Sequence, residues 1–192
     1  MSCIPPFKLG VWNAWILMIY FPLTTPLMKV IDRFVGAGDI LKKMGKVSQD
    51  KREKRNYTIF MILTFFILAY SIFLPLKVGT AWFYVGLVIY LLGLAALITS
   101  MVNITITPLG QVFTKGLYRY SRHPGYISML LLNLGVAIAS ASWIFLLYSI
   151  LNMVFLHSQA LAEERGCLET YGEEYKDYMH RTPRWLGLPR SE

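Results

Sequence analysis

The sequence predicts an all-α integral membrane protein of about five transmembrane helices, the last two a helical hairpin, followed by a cytoplasmic amphipathic helix. Three observations carry this expectation. Of the 192 residues, 55% are hydrophobic and only 16% are charged, well below the roughly 25% typical of soluble domains. The apolar residues gather into runs of about 20, the helical length that crosses a bilayer core roughly 30 Å thick. The basic residues fall in the gaps between these runs and on no single amphipathic face, so the net charge of +8 fits the positive-inside rule better than nucleic-acid binding.

The first span is expected at residues 11–30, weakened by Pro22 and Pro26. It is too long and too broken by proline for a signal peptide, so it is read as a retained span. The second, 57–76, contains no charged residue, and the third runs from about 80 to 106. From Pro124 to Ala162 there is no Lys, Arg, Asp or Glu. A single helix of that length would be nearly twice the bilayer thickness, so it must fold back. The small residues Ala139, Ser140, Ala141 and Ser142 mark the turn, giving spans at 124–140 and 142–162 and a tail at 163–192. All of this forms one membrane domain.

Loop charge sets the orientation. Arg33, Lys42, Lys43, Lys46, Lys51, Arg52, Lys54 and Arg55 lie between the first two spans, and only Lys77 between the next two. The first of these loops is therefore expected in the cytoplasm. With five crossings, residues 103–123 and the tail share that side. Gly86 with Gly93, and Gly135 with Ala139, are spaced for close helix packing. Cys3 and Cys167 have no spacing that suggests a metal site or a disulfide framework.

Polar residues collect at the cytoplasmic end of this scheme. Asn152, Gln159 and Glu163 recur at seven and eleven residues, within about 20° of one another on a helix. His157 and Glu164 form a second line. Polar groups at membrane depth are costly and usually face a bundle interior or a water-filled cavity. In the segment "GLYRYSRHPGY", Arg119, Arg122 and His123 precede Pro124, a residue suited to the first turn of a helix. A helix start with arginine beside it is an anion site. Farther on, "EERGCLETYGEEYKDYMHRTPRW" puts Leu168, Tyr171, Tyr175 and Tyr178 at helical spacing with acids opposite. This reads as an interfacial helix weakened at Gly172, with Trp185 as a membrane-surface anchor and Arg184 contacting headgroups.

These two segments together resemble the isoprenylcysteine carboxyl methyltransferase and phospholipid methyltransferase superfamily, in which a G-x-Y-R-x-x-R-H-P-x-Y stretch is paired with a later E-E and a Y-G-x-x-Y-x-x-Y tail. The resemblance covers roughly the last eighty residues. It departs from the pattern at Leu117, where a proline is common, and at Ser128, where a small glycine or alanine is common. It implies an integral-membrane enzyme that binds S-adenosylmethionine between the hairpin and the tail, which loop charge puts on the cytoplasmic side of a multi-pass protein. By this likeness Tyr118, His123, Pro124, Tyr126, Glu163 and Glu164 bind the cofactor, and Arg181 and Glu164 are the catalytic residues, Arg181 beside the acceptor's carboxylate; Arg122 with the helix start is the expected site for the cofactor's own carboxylate. The expected substrate is a lipophilic small molecule or lipid, with membrane lipids as surroundings and no nucleic-acid partner. A carboxylate such as that of a prenylated cysteine comes first and a phospholipid amine second. A direct methyl transfer needs no metal.

Three other readings fit the sequence less well. A soluble-type nucleotide fold has only "VGAGD" at residues 35–39 to support it, without strand-helix-strand room around it. A membrane reductase using a nicotinamide cofactor shares a distantly similar hairpin and tail, but the close R-H-P and E-E arrangement favours a methyl donor. A transporter or lipid-binding structural protein would place polar residues deep in several spans, whereas the second and third are nearly free of them.

Overall fold

The computed structural model describes residues 8–35 and 51–189. In order these form α1 (Trp15–Met18), α2 (Tyr20–Val35), α3 (Lys51–Ile72), α4 (Ala81–Ile106), a 3-10 turn (Gly116–Arg119), α5 (Pro124–Ala139), α6 (Trp143–Tyr171) and α7 (Glu173–Arg181). An isolated antiparallel bridge joins Asn13 to Pro75, and the described residues contain no other extended pairing. The basic residues Lys42, Lys43 and Lys46, most of the "VGAGD" segment and Cys3 lie outside the described residues.

Among the described residues, three helices are long and apolar enough to cross a bilayer: Glu53–Ile72 within α3, and the whole of α4 and α6. The fourth apolar helix, α5, is shorter. The stretch expected as a first span is a turn, the four-residue α1 and part of α2. Helix α2 has 16 residues with Pro26 inside it. The expected second span also shifts, because α3 begins at Lys51 and ends at Ile72. Residues 74–76 are extended instead, with Ala14 N–H donating to Leu74 O at 2.8 Å and Leu76 N–H to Trp12 O at 3.0 Å. Pro75 cannot donate to a helix ladder, and this exchange satisfies its neighbours.

The hairpin turns where the small residues predicted it. Helix α5 stops at Ala139, Ala141 adopts a positive φ of 49°, and the Ser142 hydroxyl caps α6 by accepting from Phe145 N–H. On the other side, α4 and α5 touch through backbone. A Cβ on Gly86 would lie 2.3 Å from Ala139 N and 2.6 Å from Gly135 O; one on Gly135 would lie 2.7 Å from Tyr90 N. Only hydrogen fits at these crossings, the small-residue packing that the glycine spacing implied. Buried tyrosines tie in the N-terminal helices: Tyr90 hydroxyl donates to Leu17 O at 2.7 Å and Tyr20 hydroxyl to Asn133 Oδ1 at 3.1 Å.

Helix α6 continues through Glu163 and Glu164 to Tyr171 without a break. The tail helix expected from residue 163 is therefore two pieces. Nothing before Gly172 interrupts helical geometry, and Gly172 then takes a φ of 55°, a conformation that glycine adopts at little cost. The chain turns there into α7.

Candidate functional site

The site is built where the tail returns to the start of α5. His123 is the N-cap of α5 and Pro124 its first residue, so the proline occupies a position whose N–H would have no helical partner. Ser121, buried just before, accepts from His123 N–H at 3.0 Å and donates from its hydroxyl to Arg184 O at 3.1 Å. Helix α7 ends at Arg181, and Thr182 and Pro183 reverse the chain onto the 118–122 segment. Arg122 N–H donates to Pro183 O at 3.0 Å, Gly187 N–H to Tyr120 O at 3.1 Å, and Tyr178 hydroxyl to Tyr118 O at 2.6 Å. These contacts hold two stretches about sixty residues apart in sequence as one unit.

At the centre lies Glu164, its side chain 4% exposed. Its Oε1 is 3.1 Å from His123 Nε2, 3.2 Å from Arg122 Nη1 and 2.9 Å from Arg184 Nε, and its Oε2 accepts from Arg184 Nη2 at 2.8 Å. The arginine fork grips the carboxylate with two donors, the geometry that makes such pairs strong. Glu163 is more open, its side chain 33% exposed, with Oε2 3.5 Å from His123 Nδ1. Its other oxygen accepts from the Tyr126 hydroxyl. Burial of the His123 ring works against its charge, but hydrogen bonds and charges from Glu163 and Glu164 outweigh it and raise the pKa above the ordinary histidine value. A ring with a carboxylate at each nitrogen is arranged to donate from both, which is the imidazolium form.

The structure thus brings Arg122, His123, Tyr126, Glu163 and Glu164 together. Pro124 starts the helix that carries Tyr126 and is capped by His123. Tyr118 is buried, its ring 5.7 Å from Phe113 and its carbonyl holding Tyr178; burial pushes both phenols up, so they stay neutral. Arg181 is exposed on the last turn of α7, with Nε 3.4 Å from Asp177 O. Arg184 is a correction: expected at lipid headgroups, it is instead the bidentate partner of Glu164. Trp185 likewise stands between two imidazoles, its ring 6.2 Å from His123 and 6.0 Å from His157. Ser121 was not anticipated. The signal for these residues was Pro183, which forces the tail to turn, but the direction of the turn depends on backbone contacts that a sequence does not display.

Comparison with known proteins gives the family of the chain. The family model described as Phospholipid methyltransferase matches residues 75–174, just over half of the chain. The chain belongs to the phospholipid methyltransferase family. The matched range of this family member includes His123, Glu163 and Glu164 but ends before α7 is complete, so Arg184 and Trp185 enter the site on structural grounds alone. Protein-S-isoprenylcysteine O-methyltransferase of Schizosaccharomyces pombe is 29% identical over 76 residues, 39% of this chain and 32% of the yeast protein. The protein of the same name from Mus musculus is 31% identical over 77 residues, 40% of this chain and 26% of the mouse protein. The family member therefore matches about a third or less of the length of these curated relatives. No solved structure matches it.

Proposed function

We propose that this family member is a multi-pass membrane methyltransferase that uses S-adenosylmethionine, works at the cytoplasmic face, and methylates a lipophilic acceptor, a carboxylate such as that of a prenylated cysteine. The observation that carries the reading is the cluster of Arg122, His123, Glu163, Glu164 and Arg184 at the end of the hairpin. The relatives are named as isoprenylcysteine O-methyltransferases, which supports a carboxylate acceptor, and the positive charge between α2 and α3 supports the cytoplasmic side.

The cluster has the chemical features such a cofactor needs. Arg122 Nε is buried with no hydrogen-bond partner, a donor suited to an anionic group, and Glu163 is open enough to receive a cationic one. When bound, S-adenosylmethionine supplies an activated methyl group on a sulfonium. The protein's part is alignment and exclusion of water. Glu164 stays fixed by two arginines, His123 holds Glu163 in place, and Tyr126 donates to the same carboxylate. In this reading Arg181 stays the candidate for holding the acceptor's carboxylate, and Glu164 acts by fixing the site.

The description of the matched family favours a second reading, a phospholipid amine as acceptor. Arg181→Lys separates the two, because a planar guanidinium fork holds a carboxylate better than a point charge does. With labelled methyl donor at saturation, this variant should lose on the order of tenfold or more in turnover on N-acetyl-S-farnesylcysteine, with donor affinity nearly unchanged. Equal turnover in the two proteins, with label entering phosphatidylethanolamine instead, would establish the amine reading.

A further inference from the structure

A groove of about 250 Å³ lies between α3 and α6 and shares no residue with the charged cluster. The two helices run antiparallel, with Glu53 paired to Arg165 at one end and Thr64 hydrogen-bonded to Tyr148 at the other. Asn56 and Ser158 line the first end, Leu63 and Tyr148 the second, and the stacked rings of Phe60 and Phe155 lie between, 3.9 Å apart. Its lips are apolar and open outward: Ile59, Leu63, Leu151 and Val154 are all exposed. Both helices are long and apolar enough to cross a bilayer, so a ligand would enter sideways from lipid.

One residue does not fit an empty apolar groove. Asn152 lines it, is only 3% exposed, and its Oδ1 has no hydrogen-bond partner. An acceptor left unpaired at membrane depth is costly, so it marks a place for a donor. An ordinary acyl chain has none. Ser158 is six residues along α6 from Asn152, or roughly 9 Å at 1.5 Å per residue. Around Asn56, at the same end of the groove, Lys51, Lys54 and Arg55 are exposed, which gives that end positive charge.

We propose that this groove is a second ligand site, for a single-chain acidic lipid that carries a hydroxyl part-way along its chain. The acidic end lies beside Lys54 and Arg55, the chain runs over Phe60 and Leu63, and the hydroxyl donates to Asn152 Oδ1. The site does not depend on the methyl-transfer reading, since none of its residues belongs to that cluster.

The test uses the full chain in phosphatidylcholine vesicles with two photoreactive probes. One is a diazirine-bearing octadecanoic acid with a hydroxyl near the middle of its chain, the other the same acid without the hydroxyl. After irradiation the hydroxylated probe should label residues 56–63 and 148–158 about tenfold more than its partner, the order expected for satisfying a buried acceptor. Asn152→Leu should erase that preference, and the methyl ester of the hydroxylated probe should label wild type less. Equal labelling of wild type by the two acids, or labelling confined to other helices, overturns the proposal without any variant having to fold. Methylation of either probe by the protein would place the groove within the reaction site and also overturn it.

Discussion

Helix α5 is held in opposite ways along its length. At its C-terminal half it meets α4 through Gly86 and Gly135, where backbones touch because side-chain atoms are missing. At its N-terminus it brings Arg122, His123 and Tyr126 into a network of opposite charges and hydrogen bonds centred on the carboxylates of Glu164 and Glu163. The first contact depends on absence and the second on balance. One should therefore fail when an atom is added and the other when a charge is removed.

The largest effect is expected at the balanced end. Glu164→Gln leaves Arg122, His123 and Arg184 facing a neutral amide with only Glu163 as counter-charge. Removing one partner from a buried ion pair costs about 3 to 5 kcal/mol, so the melting temperature in detergent should fall sharply and donor binding should be lost in calorimetry. Glu169→Gln, exposed on the same helix, should stay within about 0.5 kcal/mol of wild type. If both substitutions melt alike, the network is not what holds this end together.

Next comes the added atom. Gly86→Ala forces a methyl group into the backbone of α5, 2.3 Å from Ala139 N, and overpacking of this kind costs about 1 to 3 kcal/mol. Gly125→Ala, where a Cβ meets nothing within 4 Å, is the matched comparison and should melt close to wild type. Both are read from thermal unfolding, and a Gly86 variant as stable as the Gly125 variant would break the contrast between the two ends.

The smallest effect concerns proton balance. His123 has a raised pKa in the folded protein, so its favourable contribution is fully present below the ordinary histidine value near 6.5. That contribution is lost as pH rises through the higher folded-state value. Melting temperature followed across neutral and alkaline pH should decline more steeply in wild type than in His123→Gln. Parallel curves would mean that the ring is not held as imidazolium.

Much of this contrast was legible beforehand, and its limits are physical. The hairpin turn at residues 139–142 could be read because an uncharged run longer than a bilayer must fold back. His123, Glu163 and Glu164 could be singled out because the R-H-P and E-E segments resemble a known superfamily; polar residues at membrane depth point on their own only to an interior face or a cavity. The start of the chain read poorly: extended pairing of residues 74–76 with 12–14 replaces helix, and non-local backbone exchange leaves no periodic trace. Arg184 and Arg181 differ by three positions, yet one grips Glu164 and the other lies exposed on α7. That distinction rests on which way the chain leaves Pro183, a matter of three-dimensional contact.

The contacts from Pro183, Arg184 and Gly187 back to residues 120–122 also bear on how the protein comes into being. Chains fold progressively as synthesis proceeds from the N-terminal side, and here every apolar helix among the described residues precedes the residues that close the cluster. These helices can thus be in lipid while Glu164 still lacks Arg184. During that interval the nascent protein is embedded but chemically unfinished, and the last turn of the tail converts a set of spans into a site.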